Sequence, residues 1–380
     1  MHERVREALL TGAPGERAGS GVEVEAGTGA AVGAGVGVGV APMVSAPSVV
    51  RFERRAMGSP LRLTVVGVPE RPAAEAWAAV SGAFEELEQV LSRFRPTSDL
   101  VTLNRRAGDP GCSPVHARLY EAVAIAERAW RRTAGAFDPR ILGDLERLGY
   151  RGATSEGDVP AERGAAFADG SWLAREPRRR ALAIAAPIDL GGIGKGLALR
   201  WGFEILLAML PEIARDSGPA GDASDAHGAA GGPPHAGALL EAGGDLVARG
   251  AAPQPGPWLV GIERPRSDDE VAVISVRAGA VCTSSIAVHA WTAADGRAVH
   301  HLVDPRTGEP GGDGLLSVTV AGPDPAWAEV WSKALFLEGA AGIGPRARAL
   351  GLTAWWIRDD WRLEMTPAAR PRTAWLAGEA

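Results

Sequence analysis

PIDLGGIGKGLALRWGF (residues 187–203) joins an acidic, glycine-rich turn to a long apolar segment. Asp189 precedes a double glycine, and Gly194-Lys195-Gly196 opens a predicted helix that reaches Leu210, where Pro211 stops it. Glycines at a helix N-terminus let a ligand's phosphates approach backbone N–H groups, and the helix dipole favours their negative charge. The motif is not a Walker A loop, because Asp189 stands at the place of its first glycine and Gly196 replaces its Ser/Thr. A second reading is a tight turn before a core helix, with Lys195 merely exposed. The stretch alone leaves both open.

On either side the periodicities alternate between two and 3.6. Residues 61–66 read as a strand, and residues 72–92 place Trp77, Val80, Phe84, Leu87, Val90 and Leu91 at helical spacing. A second helix is predicted over 115–132. Strands follow at 238–241, 258–263, 271–277, 300–303 and 315–321, then helices near 326–337 and 341–350 and a strand pair within 352–365. Strands gathered late, without regular βαβ alternation, argue against a doubly wound sheet and for an α+β or mixed α/β fold. No internal repeat is visible.

The chain has 380 residues and 46% hydrophobic content, enough for a large core. Its net charge of −6 lacks the basic field of a nucleic-acid binder, and no apolar run is long enough to span a membrane. The two cysteines, Cys112 and Cys282, are too few for a disulfide framework or a zinc cluster. The N-terminus mixes acids and bases without an apolar h-region, so the cytoplasm is the expected compartment. Residues 1–48 are low-complexity and read as a flexible, disordered tail, and 215–236 as a flexible insertion in a domain spanning 49–380. The histidines of that insertion, His227 and His235, read as solvated and idle.

Of 40 basic residues only Lys195 and Lys333 are lysine. Either these two sit where a compact ammonium is required and a planar guanidinium will not fit, or they survive by chance. Asn104, the only asparagine, raises the same question. HHLVDPRTGEP (300–310) carries a His pair into an Asp-Pro turn, and alternation along a strand would turn His300 and His301 to opposite faces. One of them can serve as a general base near neutrality; the plainer reading is a pair of structural imidazoles. GALLEAGGDLVARG (237–250) reads as two strands about a glycine turn with Asp245 at the turn. Thr283, Ser284 and Ser285 offer hydroxyls to phosphate oxygens or to a turn. Glu329 and Lys333 stand at i, i+4 on one predicted helix, a spacing typical of weak surface ion pairs.

MGSPLRLTV, LSRFRPTSDLVTLN, TAGAFDP, IDLGGIGKGLAL, LLEAGGDLVARG, VCTSS, HHLVDPRTGEP and SVTVAGPDPAWAEVWSKALFLEG follow one another in this order. Together they resemble the ApbE family, the FAD:protein FMN transferases, from about Arg51 to the last strand pair. The resemblance implies a two-part α/β body related to the T-fold, with FAD in a cleft between the parts. It further implies transfer of FMN from FAD to a threonine or serine hydroxyl of a target flavoprotein, with release of AMP and assistance from Mg²⁺. By resemblance Met57, Phe94, Ala136, Phe137, Asp138, Asp189, Lys195 and Val303 match flavin-nucleotide contacts, and His301 matches the base. The family's Asp-x-x-x-Thr metal motif reads Glu329 and Lys333 here, with Ser332 between them and the Gly192 carbonyl as the expected backbone ligand. A protonated lysine has donors and no acceptor, so Lys333 cannot ligate a cation. Its ammonium then replaces part of the metal's charge, or the site has lost activity. Two other functions compete: a module that holds FAD without transfer, and a pyrophosphatase that splits FAD into FMN and AMP with water as acceptor.

Overall fold

The computed structural model describes the backbone of residues 22–24 and the whole of residues 47–152, 165–215, 235–267 and 269–378. Its centre is an antiparallel sheet, nine-stranded among the described residues. The strands are Val22–Val24, Val49–Ala56, Ser59–Val66, Gly237–Ala242, Asp245–Gly250, Ala278–Ser285, Leu315–Gly322, Thr353–Arg358 and Leu363–Met365. They lie side by side in chain order. Each pairs antiparallel with the next, from Val22↔Phe52 at one edge to Trp355↔Met365 at the other.

Both faces of this sheet are covered, and the side-chain alternation of its strands serves two cores. Ala280, Cys282, Val320, Ala354 and Trp356 point to one side, into a core shared with the helices Glu70–Leu91, Gly194–Met209 and Pro325–Phe336. Val281, Ala321, Trp355 and Ile357 point to the other, against Trp258, Ile262, Ala272 and Ile274. The last four belong to a three-stranded sheet of Trp258–Glu263, Glu270–Val276 and Thr373–Leu376. Mixed α/β is therefore the observed class, as the strand pattern predicts.

The helix Glu70–Leu91 buries Val80, Phe84, Leu87, Val90 and Leu91, while Trp77 is half-buried and stacks on Phe52 at 5.7 Å. Phe84 is fully buried, which stabilises the fold by about 1.5–3 kcal/mol. A Cβ on Gly196 would lie 2.6 Å from both the Ala326 Cα and the Pro325 carbonyl oxygen. This glycine therefore brings the helix Gly194–Met209 against the start of Pro325–Phe336. A packing demand, rather than a ligand's approach, accounts for it.

Several expectations need correction. The strand expected at 300–303 is Ala298–His300, paired with Ala290–Thr292, and His301 lies just beyond it. Asp304 ends the run early by turning the chain back, accepting the Arg306 amide at 2.8 Å. The helix opened by Gly194 does end at Met209, with Leu210 as its cap and Pro211 next, and Pro211 then opens a separate short helix, Pro211–Arg215. Thr283, Ser284 and Ser285 form a strand, not a turn. The tail expected over 1–48 contributes the edge strand Val22–Val24, and its other residues up to 46 lie outside the described set. Of the insertion, 216–234 lie outside it as well, His227 among them; Arg215 ends a helix and Ala236 is buried. Among the described residues no helix is long and apolar enough to cross a membrane.

Candidate active site

The turn at 187–193 is held from three directions. Asn104, buried at the end of the helix Asp99–Asn104, donates its amide to the Ile188 carbonyl and accepts the Ile188 N–H, both at 2.9 Å. Only an amide side chain of this length supplies donor and acceptor together, which accounts for the single asparagine. The next residue, Asp189, accepts the Gly191 N–H at 2.6 Å and pairs through its other oxygen with the Arg93 Nε at 2.7 Å. Arg93 is itself buried: it donates to the Tyr150 carbonyl at 3.0 Å and lies over the Phe94 and Tyr150 rings at 4.3 and 4.5 Å.

At the N-terminus of the helix Gly194–Met209 two lysines and two carboxylates converge. Lys195 Nζ reaches Asp245 at 2.5 Å, and the other Asp245 oxygen accepts the Thr283 N–H at 2.9 Å. Burial opposes the Lys195 charge, but Asp245 and then Glu329 outweigh it and hold the ammonium above the ordinary lysine range. Glu329, 1% exposed, accepts the Gly196 amide at 2.7 Å and the Lys333 ammonium at 3.1 Å. The Glu329–Lys333 pair is thus not a surface ion pair: the lysine side chain is 18% exposed. Its Cδ and Cε lie 3.4 and 3.6 Å from where a Cβ on Gly192 would stand, so that glycine leaves room for the lysine stem over the turn.

Above this cluster lies a histidine and aromatic group. The His289 and His301 rings meet edge to face at 5.1 Å. His301 Nδ1 lies 3.3 Å from the His289 carbonyl oxygen; the tautomer that donates there leaves Nε2 with a free lone pair. Burial foremost, then Lys333 and His289, pull His301 down to about 3, so the ring is neutral at pH 7. Burial, Lys195 and Arg93 also lower His289. His300 turns elsewhere, onto Phe336 at 5.9 Å, so the two neighbours do diverge although only one of them is in a strand. Tyr150 stacks on Trp291 at 5.1 Å and meets Phe94, which is half exposed, edge to face.

The remaining candidates border this group unevenly. Met57 bonds Glu88 through its amide, and its Cε lies 3.8 Å from where a Cβ on Gly194 would be. In the Ala136-Phe137-Asp138 turn, Phe137 is buried against Gly192, and Asp138 is engaged by Arg140 at 2.6 Å. Val303 is buried in a small cluster with Leu145, Leu148 and Val299, which turns its side chain to the interior. The Ser332 hydroxyl is fully buried between the Ser284 hydroxyl at 2.7 Å and the Glu329 carbonyl at 2.9 Å. With Ser332 so engaged, and both Glu329 oxygens taken, the expected ligand set of Gly192, Glu329 and Ser332 does not fit a magnesium ion. Among the described residues no group of three or more His, Cys, Asp or Glu is placed to hold a metal. A recess of about 110 Å³ lined by Asp99, Arg106 and Asp109 shares no residue with the cluster.

Sequence reasoning missed Arg93, Tyr150 and His289. Arg93 is one arginine among many, and His289 stands alone in an unremarkable segment; only the tertiary fold brings them to Asp189 and His301.

This is the fold of known flavin transferases. A Thermotoga maritima ApbE protein superposes with a TM-score of 0.70 at 23% identity, over 86% of this chain and 99% of that one. The apo Pseudomonas stutzeri flavinyl transferase ApbE gives 0.67 at 24%, over 86% and 97%. The sequence profile of the ApbE family matches residues 57–209 and 230–354, and the chain belongs to that family. Relatives named FAD:protein FMN transferase include one from Klebsiella pneumoniae (strain 342), 25% identical over 89% of this chain and 92% of its own. Another, from Treponema pallidum (strain Nichols), is 30% identical over 71% and 74%.

Proposed function

We propose that this protein transfers FMN from FAD to a threonine or serine hydroxyl of a target flavoprotein and releases AMP. The observation that carries the reading is the convergence of Lys195, Lys333 and His301 at the start of the helix Gly194–Met209. FAD is the substrate: its pyrophosphate would lie against the two ammonium groups and the helix N-terminus, and its rings against the Phe94 and Tyr150 edge. The acceptor oxygen attacks the phosphorus of the FMN half, His301 Nε2 takes the hydroxyl proton, and the bond to the AMP phosphate breaks with its electrons leaving on AMP. His301 is neutral and so ready to accept that proton, and a bound pyrophosphate's negative charge raises its basicity. Asp245 and Glu329 orient the two ammoniums; Asn104, Arg93 and Asp189 fix the turn beneath them.

The test is incubation with FAD and a cell extract, followed by in-gel flavin fluorescence after denaturation and measurement of AMP. Covalently fluorescent protein bands with AMP support transfer. AMP with free FMN and no labelled band would indicate the pyrophosphatase, and bound but intact FAD the non-transferring module.

A further inference from the structure

The place where an ApbE protein is expected to hold a divalent cation is built here around a cation of the chain's own. Mg²⁺ demands near-octahedral oxygen ligands at about 2.0–2.1 Å. Glu329 has given one oxygen to the Gly196 amide and the other to Lys333, and Ser332 has turned its hydroxyl to Ser284. The Lys333 stem occupies the space above Gly192, whose carbonyl the metal would need. We propose that the Lys333 ammonium, tethered by Glu329, stands in for the divalent ion at the FAD pyrophosphate, and that this protein works without a divalent metal.

Three features support the exchange. An ammonium has three donors, and the carboxylate engages it through one contact, leaving donors for phosphate oxygens. The same charge acts on His301, whose imidazole it helps to hold neutral after burial has lowered it. A compact point charge also fits the gap left by Gly192 and Phe137, where a planar guanidinium is bulkier; this explains a lysine in a chain that otherwise uses arginine.

The inference rests on the transferase reading, and its test separates the two. EDTA-treated protein with FAD is titrated with Mn²⁺ and followed by electron paramagnetic resonance, alongside the Glu329→Asp/Lys333→Thr double variant. The wild type should leave Mn²⁺ free and release AMP equally in EDTA and in Mg²⁺, whereas the double variant should bind Mn²⁺ stoichiometrically. Stoichiometric Mn²⁺ on the wild type, or AMP release abolished by EDTA, would overturn the proposal. Absence of AMP under every condition, with cell extract added as the source of acceptor hydroxyls, would refute transfer while the Mn²⁺ titration still decided the charge exchange. Should the double variant misfold by circular dichroism, Lys333→Met serves. Its FAD affinity in EDTA should fall by about tenfold or more with riboflavin affinity unchanged, and an unaltered FAD affinity would count against the exchange.

Discussion

Arg93 and Asp189 form an ion pair at 2.7 Å with 3% and 9% of their side chains exposed, directly beneath the turn that leads to Lys195. The guanidinium also lies against two aromatic rings and bonds the Tyr150 carbonyl, so one buried charge joins the turn to the ring shelf. Removing it strands a buried carboxylate. Arg93→Met should destabilise the fold by about 3–5 kcal/mol in urea denaturation. Arg93→Lys should recover only part of that, because it loses the stacking and the planar fork. Equal stability of all three proteins would show that the pair does not hold the turn.

Asn104 has a similar part without charge. Asn104→Ala leaves the Ile188 N–H and carbonyl unsatisfied in a buried place, at about 1–3 kcal/mol for each group. Asn104→Asp keeps an acceptor but loses the donor, and should be no better tolerated. Chemical denaturation measures both, and a variant as stable as the wild type would refute the clamp.

These two positions show how legible the site was. The helices, most strands and the motif at 187–203 follow from periodicity and glycine placement, and the single asparagine was a visible signal. Its partner was not, because 84 residues separate Asn104 from Ile188. Gly196 reads in sequence as a ligand-approach residue, yet the structure shows that Pro325 and Ala326 need the space. The Glu329–Lys333 spacing is equally that of an exposed pair; only the burial of the helix Pro325–Phe336 beneath the sheet makes it an interior one. Local pattern reveals elements and turns, but which face of an element is buried depends on neighbours distant in the chain.

Gly196→Ala should destabilise by about 1–3 kcal/mol, since its Cβ would meet backbone rather than a movable side chain. Gly192→Ala presses instead on Phe137 at 2.9 Å and the Lys333 stem at 3.4 Å, so FAD affinity should fall more than stability. Melting temperatures and flavin fluorescence titrations of the two variants check the contrast. The reverse ordering would contradict it.

The pH dependence of stability follows from His301. Its value drops from 6.5 to about 3 in the fold, so the unfolded chain binds the extra proton between these limits. Its contribution is whole above pH 6.5 and is lost progressively as the pH falls towards about 3. Melting temperatures taken across this range should decline more steeply for the wild type than for His301→Gln. Parallel curves would mean that His301 is not buried as a neutral ring.

The central claim is that the lysine pair and His301 act together on the pyrophosphate of FAD. AMP release from FAD by wild type, His300→Ala and His301→Ala, each assayed with cell extract supplying the acceptor hydroxyl and with FAD affinity measured on each, tests it most directly. The account predicts about 10²–10⁴-fold slower AMP release for His301→Ala at nearly unchanged affinity, and a mild effect for His300→Ala, whose ring faces Phe336. FAD recovered intact from the wild type, or AMP release by His301→Ala at the wild-type rate, would contradict it.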